Sequence, residues 1–563
     1  MAKKEYMGLQ IDYGRDSLFD KLGLARLKES YMREDEDSPQ ERFAHVSATF
    51  GSNPEHAQRL YEYSSKHWLS YSTPILSYGR SKKGMPISCF LNFIDDTAEG
   101  LVENLSETNW LSMLGGGVGI GFGIRSSDDK SVGVMPHLKT YDASCLAYRQ
   151  GRTRRGSYAT YLDISHPDVM MYLEMRKPTG DPNVRCLNLH HGINISDRFM
   201  EIIERCMTDP DSDDGWNLCD PHSGEVRDTV SAKALWQKIL ELRMETGEPY
   251  VHFIDTSNRH LPEWQKELGL KVHQSNLCSE IILPTNKDRT AVCCLSSVNL
   301  EHYDAWSKNS LFLKDIAEML DNVLQFFIDH AGDEISRARY SAQQERSLGL
   351  GAMGFHSLLQ KHSVAWESDK AREINKVVFE NIQRQAVEES RLLAKERGEY
   401  SDGFGSGMRN SHLIAIAPNA SSGVILSTSP SIEPLKACAY THRTRAGSFL
   451  VKNVYLTQLL KEKGQDNEST WTSIITKKGS VQHLPFLNEG EKAIYKTAQE
   501  LDQNWVVTHA AERQPFICQG QSVNLFFPSG TPKAYVNKVH FSAWKKGLKG
   551  LYYLRTEASS RAE

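Results

Sequence analysis

Short apolar runs that alternate with amphipathic segments constrain the fold of this chain more than any other feature of its sequence. The runs typical of buried strands lie at 291–295, 412–417 and 424–426. Large apolar side chains recur at helical spacing in 313–329 and 368–397, and Gly398 is placed to end the second helix. Strands separated by helices favour parallel pairing, so we predict an α/β fold.

The remaining segments have a different character. Residues 16–70 are charged and prone to form helices, and Ser38 ahead of Pro39 marks the first turn of one of them. Residues 460–490 and 529–535 are polar and rich in turn-forming residues, so we predict loops or insertions there.

The composition is that of a large globular protein without a membrane or nucleic-acid partner. The 563 residues are 39% hydrophobic and 24% charged, and the formal net charge of −5 gives no general attraction to polyanions. The N-terminal sequence is charged before any apolar run, and no run approaches the roughly 18 residues of a membrane helix. We therefore expect a cytoplasmic location, or the host cytoplasm if the chain is encoded by a phage.

The cysteines suggest a chemical role for a few thiols. There are ten, without a C-x-x-C pair, which disfavours a zinc ribbon, and we predict no metal site in this chain. The stretch QSNLCSEI places Asn276, Cys278 and Glu280 at every second position. Because alternate residues of an extended chain point the same way, we predict that the three share one face. The alternative is an inert cysteine among polar neighbours.

Three further motifs stand out. APNASSG at 417–423 follows an apolar run with small residues, which suits either an anion site or an ordinary turn from strand to helix. GGGVGIGFG at 115–123 lacks the spacing and the following acidic residue of a dinucleotide site. The adjacent Tyr552 and Tyr553 lie in an apolar setting and are candidates for either a redox role or core packing.

In combination and in order, these motifs resemble the large, catalytic subunit of aerobic ribonucleotide reductases. The resemblance is carried by STP with Thr73, ISC with Cys89, GGGVGIGFGIRS at 115–126, QSNLCSEI with Cys278, AVCCLSS with Cys293, RSLGLGAMGF at 346–355, APNASSG at 417–423, IEP at 432–434 and LYYLRT at 551–556. It spans nearly the whole chain. It implies a ten-stranded α/β barrel, made of two antiparallel halves of five parallel strands, with Cys278 on a loop that reaches the centre.

The resemblance also implies a division of the chain and an assembly. The expected parts are an N-terminal helical segment at 1–75, the catalytic barrel at about 76–500, and a C-terminal α/β segment at 501–563 that carries the tyrosines. The expected assembly is an α2 homodimer, formed through helices near 96–150, that binds a separate radical-generating β2 small subunit. Thioredoxin or glutaredoxin is the expected reductant.

The resemblance assigns roles in the reduction of ribonucleotides. Cys278 corresponds to the thiyl radical that takes the 3′-hydrogen, Glu280 to the general base for the 3′-OH, and Asn276 to the amide that holds the ribose. Cys89 and Cys293 correspond to the pair that is oxidised to a disulfide, which requires their strands to be neighbours.

Cys294 is the alternative to its neighbour Cys293 as the second member of this pair. The two side chains point to opposite faces of a strand, and the alignment of motifs favours Cys293.

Substrate and effector residues follow from the same resemblance. Those expected to bind substrate are Thr73, Ser88, Ala420, Ser421 and Ser422. Those expected to bind a nucleoside triphosphate effector, dATP or ATP, dTTP or dGTP, are Asp96, Arg125 and Arg154, the last in an arginine-rich loop at 150–156. The glycine-rich run is expected to form a tight turn that leads to the effector site.

The source of the radical separates two classes of enzyme. Tyr552 and Tyr553 match a pair that relays an oxidising equivalent from a metal cofactor in the small subunit, which indicates class I, with no cofactor bound covalently in this chain. An adenosylcobalamin-dependent class II enzyme is the alternative, and an inactive regulatory homologue is less favoured. The sequence has neither the N-terminal cone nor the C-terminal cysteine pair of longer relatives, so we expect a short form like those of phages and some bacteria.

Overall fold

The computed structural model describes residues 4–81, 84–148, 156–444 and 447–556. The strands are β1 Lys4–Tyr6, β2 Leu9–Ile11, β3 Leu69–Tyr71, β4 Cys89–Ile94, β5 Gly117–Phe122, β6 Tyr158–Asp163, β7 His190–Ile195, β8 Gly215–Cys219, β9 Val226–Ser231, β10 Tyr250–Phe253, β11 Ala291–Asn299, β12 Leu348–Met353, β13 Ala439–Thr444, β14 Gly447–Lys452, β15 Leu525–Phe527, β16 Gly550–Leu551 and β17 Leu554–Thr556.

The α-helices surround these strands. They are α1 Lys21–Ser30, α2 Pro39–Phe50, α3 Pro54–Ser65, α4 Thr73–Leu76, α5 Ala98–Met113, α6 Val134–Ala147, α7 Val169–Leu173, α8 Asp197–Thr208, α9 Ala232–Thr246, α10 Ile254–Arg259, α11 Glu263–Glu267, α12 Tyr303–Trp306, α13 Phe312–His330, α14 Ser336–Glu345, α15 Phe355–Lys361, α16 Asp369–Arg397, α17 Ala420–Ile425, α18 Val454–Glu462, α19 Glu468–Thr476, α20 Glu489–Ile494, α21 Gln503–Arg513 and α22 Lys533–Lys545. Within the described ranges, none of them is long and apolar enough to cross a membrane.

The strands close into a barrel of two halves. In the first half, β4, β5, β6, β7 and β10 pair in parallel in that order. In the second, β11 pairs in parallel with β12, and single parallel bridges, Leu350–Ile414 and Ile416–Gln521, continue the set. The backbone N–H group of Tyr552 donates to the carbonyl of Val523, so the segment that begins at β16 pairs with the segment around Val523 and completes the second half.

Two antiparallel junctions join the halves, β4 with β11 and β10 with β16. The predicted ten-stranded barrel of two antiparallel halves is therefore confirmed. The short β3 adds to β11 beyond the end of β4.

The two faces of the barrel wall have different chemistry. The outer face packs on the helices in one large apolar core, in which Val118, Ile120 and Cys294 are fully buried. Inside the barrel lie two small clusters, one around Cys89 and Cys293 and one around the tyrosines and Cys278. The reactive side chains suggested by the sequence thus lie on the inner face.

Several elements match the sequence prediction. The two predicted helices are observed as α13 and α16, and Ser368 and Gly398 flank α16 as its caps. Helix α2 begins after Ser38, whose side chain forms a capping box with Glu41. Helices α1 to α3 fill most of the segment that was predicted to be helical.

Three local predictions are wrong. The run 424–426 lies mostly in α17, because a short apolar run cannot distinguish a strand from a buried helical turn. For 460–490 the loop alternative is wrong, because this segment contains α19, which Asn467 caps and which buries Trp471 and Ile474. The loop predicted at 529–535 ends early, since α22 begins at Lys533. The run 412–417 pairs only through single bridges.

Candidate active site

A buried loop at 271–285 carries the central motif through the barrel. The prediction of an extended segment is wrong, because residues 276–279 form a turn in which Ser279 has φ +67° and its amide donates to the carbonyl of Asn276 over 3.3 Å. The Oδ1 atom of Asn276 accepts from the backbone N–H groups of Glu280, at 3.0 Å, and Ile281, at 3.1 Å. The amide side chain therefore fixes the turn that positions Cys278 and Glu280.

The glycine-rich run is not the predicted tight turn but strand β5, and it makes room for this loop. Gly117, Gly119 and Gly121 alternate along the strand on the side opposite Val118 and Ile120. A Cβ atom on Gly119 would overlap the carbonyl oxygen of Ser275 and lie 2.7 Å from Cα of Asn276.

The glycines on either side have the same role. A Cβ atom on Gly117 would lie 2.8 Å from Cδ2 of Leu277, and one on Gly121 would lie 2.7 Å from Oε1 of Gln274. Glycine at alternate positions of a strand marks the close approach of another backbone, and this signal is present in the sequence.

The two predicted redox thiols face each other across the junction of the half-barrels. Cys89 in β4 and Cys293 in β11 are directly paired residues of the antiparallel ladder. Such partners have Cα atoms about 4.5–5.5 Å apart, which is within the range that a disulfide spans. Cys294 lies in the outer core, so Cys293 is the member of the pair that faces Cys89.

Gln519 ties the loop to this thiol pair, and sequence reasoning missed it. Its side-chain N–H group donates to Sγ of Cys293 over 3.4 Å and to the carbonyl of Leu348 over 3.0 Å. Its Oε1 accepts from the amide of Ile282 over 3.0 Å. Burial raises the pKa of the Cys293 thiol well above its ordinary value, so this sulfur keeps its proton near neutral pH.

Glu280 is a buried carboxyl whose proton affinity is tuned close to neutrality. Its side chain is 1% exposed, and burial raises its pKa to about 7, against hydrogen bonds from Asn276 and Ser522 that lower it. The hydroxyl of Ser522 donates to the backbone carbonyl of Cys278 over 2.6 Å and to Oε2 of Glu280 over 3.3 Å. A carboxyl with a pKa near 7 is suited to general base catalysis.

The tyrosine pair leads from the loop toward the outside. Tyr552 packs against Tyr553 with ring centroids 4.3 Å apart and shares an apolar cluster with Cys278. Burial raises the pKa of Tyr552 well above its ordinary value, with Cys278 as the next contribution. Tyr553 is half-buried, and the guanidinium of Arg555 lies 4.0 Å from its ring centroid.

The predicted substrate residues gather near one end of β11. The amide of Ser72, next to Thr73, donates to Oγ of Ser296 over 3.4 Å. The side chain of Asn419 donates to Oγ of Ser297 over 3.0 Å, and its φ of +51° turns the chain into α17, which holds Ala420, Ser421 and Ser422. Ser88 directly precedes β4, and its hydroxyl lies 3.7 Å from Sγ of Cys89, the partner of Cys293 in β11.

Two predicted effector residues form an adjacent pair beyond β4 and β5. Nε of Arg125 lies 3.5 Å from Oδ2 of Asp96, and neither atom has a hydrogen-bond partner among the described residues. Nδ1 of the exposed His222, which the sequence did not single out, lies 3.8 Å from the same carboxylate oxygen. Arg154 lies outside the described residues.

Comparisons with known proteins agree with this geometry. The family model "Ribonucleotide reductase, barrel domain" matches residues 87–406 and 401–554, and "Ribonucleotide reductase, all-alpha domain" matches residues 17–84. The chain belongs to the ribonucleotide reductase family.

Similar proteins of this family span almost the same length. The "Ribonucleoside-diphosphate reductase large subunit" of Invertebrate iridescent virus 3 is 48% identical, over 97% of this chain and 95% of its own. The "Putative ribonucleoside-diphosphate reductase large subunit" of Frog virus 3 (isolate Goorha) is 52% identical, over 90% and 89%. The solved "Actinobacillus ureae class Id ribonucleotide reductase alpha subunit" has a TM-score of 0.85 at 33% identity, and the match covers 98% of this chain and 99% of that one.

The close approach at Gly119 gives a first prediction. Gly119→Ala should displace the loop of this ribonucleotide reductase, destabilise the fold by about 1–3 kcal/mol, and reduce turnover at least tenfold. The control is Gly215→Ala on strand β8, where the nearest atom is 3.3 Å from the added Cβ. Urea unfolding and turnover, measured on both variants, check this. Equal behaviour of the two would contradict the packing argument.

The raised pKa of Glu280 gives a second prediction. Only the ionised carboxylate accepts a proton, so turnover should rise with pH through about 7 and then level off. Glu280→Gln should remove this limb together with most of the activity. A pH–rate profile without an acid limb near 7 in the wild-type chain would argue against Glu280 as the base.

The raised pKa of Glu280 has the opposite effect on stability, because it makes the free energy of unfolding fall as the pH rises. The folded-state pKa of about 7 is above the ordinary 4.5, so this carboxyl takes up a proton on folding. The contribution of this carboxyl to the free energy of unfolding is fully present below pH 4.5 and is lost as the pH rises through 7. The urea midpoint of Glu280→Gln should therefore rise relative to that of the wild-type chain between pH 5 and 8.

Proposed function

We propose that this chain is the catalytic subunit of a class I ribonucleoside-diphosphate reductase. The observation that carries the proposal is the position of the Cys278 loop, between the Cys89–Cys293 pair on one side and the tyrosines on the other. The class I alpha subunit from Actinobacillus ureae supports the class, and the curated relatives support a diphosphate substrate. These comparisons do not favour the class II alternative with adenosylcobalamin.

The side chains are suited to each step of a radical reduction. A thiyl radical at Cys278 takes the 3′-hydrogen atom of the ribose, and Glu280 accepts the 3′-OH proton. The 2′-hydroxyl then leaves as water with one proton from the Cys89–Cys293 dithiol, and the second hydrogen of the dithiol goes to C2′, so the dithiol supplies two electrons as its disulfide forms. Glu280 returns the proton to O3′, and Cys278 returns the hydrogen atom to C3′ and becomes a thiyl radical again. Asn276, which already fixes the turn, holds the ribose oxygens.

The tyrosines provide the route by which Cys278 is oxidised. A radical at Tyr553 takes the hydrogen atom of the Tyr552 hydroxyl, and Tyr552 then takes the hydrogen atom of the Cys278 thiol. A metal cofactor in the separate small subunit would supply the first oxidising equivalent. Buried phenols suit hydrogen-atom transfer, because burial keeps them protonated.

The proposal also includes a dimer interface, an effector site, substrate-binding residues and an external reductant. Exposed apolar side chains on α5 and α6, such as Val102, Trp110 and Leu146, are suited to the interface of a homodimer formed by two copies of this chain. The Asp96–Arg125 pair, with Arg154, is the proposed site for dATP or ATP, dTTP or dGTP. Thr73, Ser88 and residues 420–422 are proposed to bind the substrate, and thioredoxin or glutaredoxin to reduce the disulfide.

The third prediction concerns the thiol pair. One turnover without external reductant should form a disulfide between Cys89 and Cys293, because these residues are cross-strand partners, while Cys294 faces the outer core. Peptide mapping after a single turnover checks this. Cys294→Ser should still form the bridge, and a bridge that contains Cys294 would reverse the assignment.

The fourth prediction tests the function and the class together. Tyr553→Phe keeps the ring but removes the O–H group, so it should abolish turnover supported by a small subunit while folding and effector binding are retained. Cys278→Ser should abolish turnover with any radical source. If Tyr553→Phe turns over normally with adenosylcobalamin and the wild-type chain fails with a small subunit, the class I assignment is wrong.

A further inference from the structure

Helix α1 of the N-terminal helical segment packs on one of the elements proposed to bind the substrate. Gly23, in the first turn of α1, is so close to α17 that a Cβ atom there would lie 2.5 Å from the carbonyl oxygen of Ile425. A backbone oxygen cannot turn aside as the end of a flexible side chain can, so this approach requires glycine. Because α17 carries residues 420–422, the position of α1 limits where these residues can lie.

The other end of α1 reaches a second substrate element. Tyr31, which follows the last residue of the helix, is 4% exposed, and its hydroxyl oxygen lies 3.4 Å from Oγ1 of Thr73. The backbone N–H group of Tyr31 donates to the carbonyl of Leu27 over 2.9 Å, which holds the phenol at the end of the helix. Thr73 is the first residue of α4. Its hydroxyl therefore faces a side chain whose position α1 determines.

Helix α1 is itself held firmly between these two contacts. The carboxylate of Asp20 caps its first turn and accepts a hydrogen bond from the N–H group of Gly23 over 2.6 Å. Leu22 and Leu27 are buried and fix the helix against its neighbours. From Gly23 to Tyr31 the helix rises about 12 Å. One rigid element therefore contacts both α17 and α4, at points a fixed distance apart.

We propose that α1 sets the distance between Thr73 and residues 420–422, and through it the affinity for the nucleotide. This inference rests on the proposed function, which assigns both elements to substrate binding. Groups that hold one ligand from two elements must be kept within about 0.5 Å of their productive positions. Gly23 and Tyr31 are thus positioning residues, which act on the substrate only through the residues that they contact.

Gly23→Ala should weaken substrate binding. The added methyl group must displace α17 or α1, because it would overlap a backbone oxygen. We expect the Kd for cytidine diphosphate (CDP) and the KM to rise about tenfold, and kcat at saturating CDP to stay within about twofold, since the lost contacts serve the ground state and the transition state alike.

Tyr31→Phe tests the other end of the helix. The exchange keeps the buried ring and removes only the hydroxyl that lies beside Thr73. We expect a rise of about threefold in the Kd for CDP, because one hydrogen bond that orients Thr73 is lost.

The experiment uses the full-length chain at a saturating concentration of effector. Equilibrium dialysis with labelled CDP measures the Kd without a small subunit, and steady-state turnover with a small subunit gives KM and kcat. The Kd for the effector dTTP, measured in the same way, should be the same in both variants and the parent.

Two control variants match the changes without touching the substrate elements. Gly490→Ala adds a methyl group to the first turn of α20, where the nearest atom, Oδ1 of Asn488, is 3.3 Å away. Tyr61→Phe removes another buried hydroxyl of the N-terminal segment, one that donates to Gln40 over 3.1 Å and accepts from the N–H group of Asp12 over 2.7 Å. Both controls should bind CDP as the parent does.

The outcomes separate this inference from the proposed function. If the parent binds CDP and Tyr31→Phe, or a folded Gly23→Ala, binds it equally well, the role of α1 is overturned and the proposed function stands. An equal loss of affinity for CDP and dTTP would also overturn that role, since it would indicate a general disturbance of the fold. If Gly23→Ala does not fold, the affinity of Tyr31→Phe decides. A parent that binds no CDP would overturn the proposed function, and the inference with it.

Discussion

The active site depends on one close contact, the packing of the Cys278 loop against the side-chain-free face of β5. A barrel of ten strands encloses a volume that is otherwise filled by inward-pointing side chains. Three alternate glycines remove those side chains from one strand and let backbone occupy the space. The loop is then pinned by Asn276, Gln519 and Ser522, whose hydrogen bonds satisfy backbone groups that would be costly to bury unpaired.

The same constraint accounts for the tuning of the reacting groups. A loop in the interior of a barrel is removed from water, so burial dominates the proton affinities of Glu280, Cys293 and Tyr552. A carboxyl becomes a base that works near pH 7, while thiols and phenols keep the hydrogen atoms that radical steps exchange. One geometric fact thereby gives three residue types the protonation states that the proposed reaction needs.

Much of this architecture could be predicted from the sequence, and the failures have physical causes. The long helices were predictable because their apolar stripes repeat over many turns, as in α13 and α16. The pairing of Cys89 with Cys293 was expected only through the resemblance, since spacing along the chain does not reveal which strands are neighbours. The extended form expected for 274–280 was wrong because an Asn side chain can replace a strand partner and close a turn. Gln519 and Ser522 were missed because each contacts residues more than 200 positions away.

The two junctions of the barrel carry opposite kinds of chemistry. The junction of β4 with β11 holds the dithiol, and the junction of β10 with β16 holds the tyrosines, with Cys278 on the loop between them. A tyrosyl radical that met the dithiol directly would be quenched, and the oxidising equivalent would be lost without product. In the proposed reaction the dithiol donates electrons and the tyrosines deliver the oxidising equivalent. Their positions at different junctions of the barrel keep the two from reacting with each other except through Cys278 and the substrate.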